Sequence, residues 1–289
     1  MTIRRAFTLV ELLVVISIIG MLSSIAIIST SGSREKARLA AAMSFAAQLD
    51  RANGALSGGE WFLNEGSGTT VLDGTGNGQN GTLLNVPTWS TDTKDNKGFS
   101  VHLNGINSYI SIPDSSSLKY RGGNLTMAVW VKTDPTETDG ACILSKPWNS
   151  SGEYNYRICL YSNRAVYAAL SGNVQYVLST TASVPAGVWS FVAVTVDSAQ
   201  NMNIYIDGGL KATGVDNVSS WSPAGGDSNN PLAVGTLYPY GNGWTGNSAF
   251  TLAGFVDDPR VFNDALSSER IHKLYAEGKA AHLFEVAQR

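Results

Sequence analysis

The sequence is poor in the residues that most often carry out chemistry. It has three histidines and two cysteines in 289 residues. His102, His272 and His282 lack the short spacings of a metal site, and no Gly-x-Ser-x-Gly nucleophile motif occurs. Charged residues make up 15% of the chain and the formal net charge is −3, so we expect no nucleic-acid partner. These absences favour a protein that is not an enzyme.

One long apolar run lies at the N-terminus. A short basic leader, residues 1–6, precedes a predominantly apolar stretch at residues 7–28. A helix of this length reaches about 33 Å, enough to span a hydrocarbon core of about 30 Å. Arg4 and Arg5 directly precede the run, and basic residues stay on the cytoplasmic side of a membrane. We therefore expect a single span that places the rest of the chain outside the cytoplasm.

Glu11 is the one carboxylate within this run. A charge at the centre of a membrane helix costs about 2.5–3.5 kcal/mol, so it usually marks function. Residues 6–11, Ala-Phe-Thr-Leu-Val-Glu, resemble the N-terminus of bacterial type IV prepilins and type II secretion pseudopilins. The resemblance implies that prepilin peptidase cuts between Ala6 and Phe7 and that the Phe7 amine is methylated. It also implies that Glu11 pairs with the Phe7 amine of a neighbouring subunit during assembly.

The match to the prepilin pattern has one departure, because Ala6 stands where the family usually has glycine. Other signals fit less well. An ordinary secretory signal has an apolar region of about 7–15 residues and a small-residue cleavage site after it, and this run has neither. Arg4 and Arg5 match part of a twin-arginine signal, but its usual flanks are missing. A plain single-pass anchor is the remaining alternative.

The helix of the apolar run is predicted to continue beyond the membrane. Residues 34–53 are rich in alanine and contain no proline or glycine, which favours a helix that ends at Asn53 and Gly54. We expect a pilin-type helix over residues 7–56, with residues 7–28 in the membrane. The hydroxyl- and glycine-containing stretch at residues 29–33 is its weakest part.

From Ser57 onwards, short β-rich runs alternate with clusters of Gly, Asn and Asp. Residues 57–280 are predicted to form one β-sandwich, followed by a tail at residues 281–289. Several blocks resemble laminin-G-like, concanavalin-type jelly rolls, with Pro259 as a departure. The fold class expected is a long N-terminal α-helix followed by an all-β jelly roll. The blocks are residues 61–69, 73–78, 99–113, 125–131, 143–146, 189–194 and 254–262, then a short helix at 269–276.

Laminin-G-like modules often bind one Ca²⁺, which takes six to eight oxygen ligands. The resemblance predicts a Ca²⁺ site with Asp73, Asn77 and Asn80 in a glycine-rich loop and Asp257 in the closing block. The alternative is that these residues only form turns. Glycoside hydrolases of the same fold class carry Glu-x-Asp-x-x-Glu. The nearest match, at residues 137–142, ends in cysteine, which again argues against catalysis.

Large aromatic residues in polar loops are the candidate ligand contacts. We expect them to bind a glycan or another cell-surface ligand, and the alternative is that they plug the ends of the sandwich. Trp130 and Trp189, which lie in strand blocks, are expected in the core. The candidate ligand residues are Trp148, Trp221, Tyr238, Tyr240 and Trp244.

The two cysteines lie on opposite arms of a predicted hairpin. A loop centred near residues 150 and 151 would place Cys142 directly opposite Cys159 on neighbouring strands. Outside the cytoplasm this arrangement permits a disulfide. Two buried thiols are the alternative.

Together these features predict a minor, tip or adhesive pilin that displays a laminin-G-like binding domain. The precursor would be inserted in the inner membrane and then carried to a pilus at the cell surface. Its partners would be prepilin peptidase, the membrane and other pilin subunits bound through the N-terminal helix. One alternative is a type II secretion pseudopilin in the periplasm. Another is a membrane-anchored carbohydrate-binding protein that never polymerises.

Overall fold

The computed structural model describes residues 9–19, 57–120, 122–135, 140–147, 154–161, 163–171, 175–215, 229–237 and 250–286. The chain separates into two compact units, Met1–Ala55 and Leu56–Arg289. The sequence changes character at the same place, where the alanine-rich segment gives way to short β-rich runs.

In the first unit, residues 9–19 form a helix, α1, whose apolar side chains are exposed. Ser17 Oγ donates a hydrogen bond to the carbonyl oxygen of Leu13, 2.8 Å away and one turn earlier. Within the described residues, no helix is long and apolar enough to cross a membrane. The predicted span, residues 7–28, extends beyond the described helix at both ends and stays a prediction.

The second unit is an antiparallel sandwich of two eight-stranded sheets. Sheet I has the order β14-β13-β12-β7-β16-β5-β4, with β1 also paired to β16, and sheet II has the order β11-β10-β9-β8-β15-β6-β3-β2. This confirms the all-β jelly roll. The elements are β1 (Ser57–Glu60), β2 (Thr70–Val71), β3 (Gly81–Leu84), β4 (Thr88–Ser90), β5 (Ser100–Asn104), β6 (Tyr109–Ile112), β7 (Leu125–Thr133), β8 (Cys142–Pro147), β9 (Tyr154–Leu160), β10 (Ala165–Ser171), β11 (Gln175–Ser183), β12 (Ser190–Val196), β13 (Asn201–Ile206), β14 (Gly209–Val215), β15 (Leu232–Val234), β16 (Ala253–Phe262) and the C-terminal helix α2 (Ser268–Val286).

The main core lies between the two sheets. Alternate residues of a strand point to opposite faces, so Met127, Val129 and Val131 of β7 enter this core. The intervening residues Ala128 and Trp130 point to the outer face of sheet I. Because both faces of β7 are covered along most of its length, the strand reads as a nearly continuous apolar run.

Helix α2 covers part of the outer face of sheet I. Ile271 and Leu274 pack there against Trp130 and its neighbours, and the Tyr275 ring stacks on Trp130 with centroids 5.6 Å apart. A Cβ at Gly278 would lie 2.7 Å from Trp130 Nε1, so the close approach of the helix requires glycine. The helix is longer than the predicted residues 269–276 and continues into the stretch predicted as a tail.

The departure at Pro259 has a structural explanation. The pairing of β16 with β7 shifts register between Asp257 and Arg260, and Asp258 has φ 46°. Such a bulge leaves residues unpaired, which suits a proline that has no N–H to donate. The carbonyl oxygen of Pro259 accepts a hydrogen bond from the Trp61 amide at 3.0 Å. The bulge also sets the positions of Asp257, which precedes it, and of Asp258, which lies within it.

Candidate functional site

The predicted calcium loop is organised by its own hydrogen bonds. Asp73 Oδ1 accepts from the Thr75 amide at 3.0 Å and from the Thr75 hydroxyl at 2.7 Å, while Oδ2 accepts from the Gln79 amide at 3.1 Å. Asn80 Oδ1 accepts from the Asp73 amide at 2.9 Å. Asn77 Nδ2 instead reaches the carbonyl oxygen of Ser57, 3.5 Å away. The bond from the Thr75 amide to Asp73, two residues earlier, is that of an Asx turn, and the longer-range bonds fix the rest of the loop.

The donor set around this loop is small for Ca²⁺. Among the described residues, no three His, Cys, Asp or Glu side chains come together as a metal cluster would require. Asp73 and Asn80 lie together, whereas the fourth predicted ligand, Asp257, is held in an ion pair described next. The side-chain oxygens of Asp73, Asn77 and Asn80 alone are fewer than the six to eight ligands that Ca²⁺ takes. Calcium binding therefore stays a prediction that would need water or backbone ligands as well.

Asp257 lies in a buried ion-pair cluster on the outer face of sheet I. Lys94 Nζ, from the loop between β4 and β5, lies 3.0 Å from Asp257 and 3.1 Å from Asp258. Burial raises the pKa of Asp257 to about 7, the Asp258 carboxylate adds to the rise, and the Lys94 ammonium opposes it. Burial alone would lower the pKa of Lys94, but the two carboxylates outweigh burial and raise it. Lys94 thus pairs with both buried acids, and Asp258 has a second cationic partner in Arg260, 3.1 Å away.

Other predicted residues lie partly outside the described chain. Glu11 is on α1 with an exposed side chain, while Ala6 and Phe7 lie outside the described residues. All five loop aromatics predicted to bind a ligand also lie outside them. They are Trp148, Trp221, Tyr238, Tyr240 and Trp244.

The predicted disulfide is present. Cys142 of β8 is the register partner of Cys159 of β9, and the two form a disulfide. Both are fully buried beside Tyr167 on the outer face of sheet II. The alternative of two thiols was wrong in this structure.

Four half-buried side chains form a row across the outer face of sheet I, which we call the outer-face row. Phe255 of β16 is the register partner of both His102 of β5 and Lys132 of β7, and Trp189 lies just before β12. The Phe255 ring centroid is 4.5 Å from that of His102, 6.3 Å from that of Trp189 and 5.4 Å from Lys132 Nζ. The row therefore combines two aromatic rings with a cation and an imidazole.

Two aspartates hold the polar members of the outer-face row. Asp92 Oδ1 accepts from Trp189 Nε1 at 2.9 Å, and Oδ2 accepts from Lys132 Nζ at 2.5 Å. Although partial burial acts to raise it, hydrogen bonds from Lys132 and Trp189 lower the pKa of Asp92. Asp134 Oδ2 lies 3.3 Å from His102 Nε2. The arrangement can offer hydrogen-bond donors and acceptors beside apolar rings, without a large net charge.

Sequence analysis missed this row because its members are far apart in the chain. His102 was considered only as a metal ligand, and Trp189 was expected in the core. The structure corrects the second expectation, because Trp189 is half-buried at the edge of the helix-covered cluster. The alternation within β16 could have indicated one member of the row. Because Val256 faces the core and neighbouring residues of a strand point to opposite faces, Phe255 must face away from the core.

Comparison with known proteins bears on both ends of the chain. Residues 1–27 match the family model of the prokaryotic N-terminal methylation motif. Residues 104–272, more than half of the chain, match the model of the concanavalin A-like lectin/glucanases superfamily. The chain belongs to the concanavalin A-like lectin/glucanases superfamily. This superfamily member thus joins a type IV pilin-type precursor sequence to a lectin-like jelly roll. No match was found among curated protein sequences.

Solved structures share the fold of this superfamily member. The binding domain of Paraclostridial Mosquitocidal Protein 1 has a TM-score of 0.59 and 14% identity, covering 78% of this chain and 52% of that chain. A second structure is domain 4 of AbnA, a GH43 extracellular arabinanase from Geobacillus stearothermophilus, in complex with arabinotriose. It has a TM-score of 0.56 and 19% identity, and the match covers 76% of this chain and 98% of that chain.

A third structure concerns botulinum neurotoxin type C, whose cell entry depends on interaction with two ganglioside molecules. It has a TM-score of 0.58 and 15% identity, covering 78% of this chain and 52% of that chain. This chain spans about half the length of the mosquitocidal-protein and neurotoxin structures. At these identities the likeness shows the fold alone.

Proposed function

We propose that the protein is a type IV pilin-like filament subunit, minor, tip or adhesive, that displays its jelly roll as a binding domain outside the cell. The observation that carries the proposal is the N-terminal methylation motif on the same chain as a lectin-like domain. The first implies processing and assembly, and the second supplies a stable scaffold for a ligand site. Its proposed role is binding, because solved structures that share the fold are described as a binding domain or in complex with a sugar.

Assembly follows from the chemistry of the N-terminal segment. Cleavage before Phe7 removes Arg4 and Arg5 and creates a new α-amino group. Glu11 then lies about one helical turn from this amine, inside an apolar stretch. A carboxylate in hydrocarbon is costly unless it is paired, and the ammonium of a neighbouring subunit would compensate it.

The exposed apolar side chains of α1 fit the same proposal. Leu9 is 81% exposed and Val10 is 71% exposed. In water such a surface is unfavourable, so it needs lipid before assembly and neighbouring helices afterwards. The subunit would therefore move from the inner membrane into a filament without exposing this helix to water.

The size of the jelly roll favours a minor or tip position. A head of more than two hundred residues is large for a subunit that must repeat along a shaft. Two of the structural neighbours are described with arabinotriose or with gangliosides, which supports a glycan or glycan-bearing surface as the ligand class. The same N-terminus would also suit a type II secretion pseudopilin, which would keep the domain in the periplasm.

The first test is the mass of the N-terminal peptide of the protein, isolated from membranes and from sheared surface filaments. We expect a peptide that begins at N-methylated Phe7. A peptide that begins at Met1 in both fractions would contradict processing and assembly. Presence in the sheared fraction separates a surface pilus from a periplasmic pseudopilus.

A matched pair of variants tests the assembly role of Glu11. Glu11→Val should remove the protein from filaments while leaving it in membranes, because the partner amine loses its counter-charge. Glu277→Val is the control, since Glu277 lies on α2 in an exposed pair with Lys273 at 3.4 Å. Equal incorporation of the two variants would contradict the assembly role.

A further inference from the structure

We infer that the outer-face row of sheet I is a binding site for an uncharged oligosaccharide. The inference rests on the proposed function, because it names the site through which the displayed domain would bind. The row consists of His102, Phe255, Lys132 and Trp189, with Asp92 and Asp134 at its sides.

The rings of the row provide the apolar part of such a site. Phe255 and Trp189 are both half-buried, so each is supported from below and keeps part of its surface accessible. Their centroids are 6.3 Å apart and their planes are tilted by 56°. A small-molecule site needs apolar and aromatic lining with a few well-placed polar groups. The C–H face of a sugar ring fits this kind of surface.

The aspartates provide the polar part. The Asp92 side chain is 40% exposed and that of Asp134 is 31% exposed. An ionised carboxylate has about four acceptor positions, and the described contacts to Lys132 and Trp189 use two of those of Asp92. Lys132 in turn has three N–H donors. Hydroxyl groups of a sugar can therefore bond to side chains that are already oriented.

Charge balance selects an uncharged ligand. Lys132 is matched by Asp92, and His102 lies against the carboxylate of Asp134. An anionic sugar or a phosphate would have to approach two carboxylates, while a strong cation would have to approach the Lys132 ammonium. A neutral sugar avoids both penalties and uses the same donors and acceptors.

The site is held rigidly by the loop between β4 and β5. Lys94 attaches this loop to Asp257 and Asp258, and Ser100 Oγ donates to the carbonyl oxygen of Asp92 at 2.6 Å. Asp92 is therefore placed over the sheet before any ligand arrives. Side chains fixed in advance lose little entropy on binding.

The test uses the full-length chain in a zwitterionic, sugar-free detergent. Binding of arabinotriose, cellotriose, maltotriose and sialyllactose is measured by calorimetry and saturation-transfer NMR. We expect at least one neutral oligosaccharide to bind and the anionic sialyllactose not to bind. Phe255→Ala and Asp134→Ala should each lower the affinity for the neutral sugar by roughly tenfold or more.

Tyr161→Ala is the matched control, because Tyr161 is an aromatic residue outside the row that is 44% exposed. It should leave binding unchanged, and near-ultraviolet circular dichroism checks that every variant is folded. Trp189→Phe keeps a ring but loses the donor to Asp92, so it should weaken binding less than Phe255→Ala.

Three results would overturn the inference. They are no binding of any neutral sugar, binding of sialyllactose alone, and neutral-sugar binding that folded Phe255→Ala and Asp134→Ala proteins retain. Self-association that the row variants abolish, without sugar binding, would show that the occupant is another copy of the chain. None of these results changes the N-terminal peptide, so failure of this site is distinguishable from failure of the pilin-like proposal.

Discussion

Two lysine–aspartate contacts lie on the outer face of sheet I, and they differ mainly in exposure. The side chains of Lys94 and Asp257 are 8% and 1% exposed, whereas those of Lys132 and Asp92 are 22% and 40% exposed. A buried charge must be matched, because water cannot solvate it. A half-exposed pair contributes little to stability and keeps bonding capacity for a ligand. The first pair is therefore structural, and the second is available for binding.

The largest expected effect comes from breaking the buried pair. Lys94→Met leaves the buried Asp257 carboxylate without its counter-charge and leaves Asp258 with Arg260 alone, so we expect a loss of about 3–5 kcal/mol in the free energy of unfolding. Denaturant unfolding of the folded domain in the full chain measures it. Lys94→Arg retains the charge and is the control. A loss below about 1 kcal/mol in Lys94→Met would contradict the structural role.

A pH titration sharpens the comparison. The pKa of Asp257 is about 7 in the folded chain and about 3.9 in an unfolded one, so between these values the folded state binds more protons. Stability attributable to Asp257 therefore falls as pH rises from about 4 to 7, by at most about 1.4 kcal/mol per pH unit.

Asp257→Asn should remove this slope, and unfolding measured at several pH values would detect the change. Asp92, whose pKa is lowered, contributes in the opposite sense: its stabilisation is present above the unfolded pKa and is lost as pH falls through the folded one. An unchanged slope in Asp257→Asn would assign the pH dependence to another group.

Calcium binding tests whether Asp257 acts together with the loop of Asp73 and Asn80, as the sequence predicted. Because Asp257 is paired with Lys94, we expect any Ca²⁺ to bind at Asp73 and Asn80 without it. For a Kd of about 1 mM, 5 mM Ca²⁺ would stabilise the domain by about 1 kcal/mol. Thermal unfolding in Ca²⁺ and in EDTA measures this, and Asp73→Asn should abolish the difference. Equal unfolding temperatures for the parent chain would leave Asp73 with its turn role alone.

The smallest effect on stability is expected at the exposed pair. Lys132→Met should cost about 0.2–1 kcal/mol, because water replaces most of what the pair provides. Denaturant unfolding of the Lys132→Met and Lys94→Met variants is measured under the same conditions. A cost comparable to that of Lys94→Met would remove the distinction between the two pairs.

Much of the architecture was predictable from local patterns. The turn-punctuated β-rich runs predicted the sandwich, and the hairpin around residue 150 placed Cys142 opposite Cys159. Both inferences depend on residues that are near in sequence, or on a periodicity that repeats. Local patterns did not show the ion pair of Asp257, because its partner Lys94 is 163 residues away in the chain. Nothing in either segment indicates the other.

The sequence by itself determined the methylation motif at the N-terminus, the short strands of the jelly roll and the facing positions of Cys142 and Cys159, since these follow from short segments and strand alternation. The tertiary structure alone decided which side chains share a site. Neighbours across an antiparallel sheet are set by strand order, and in sheet I β5, β16 and β7 lie side by side although they are far apart in the chain. For that reason His102, Phe255 and Lys132 meet on one face, and no local pattern could have shown it.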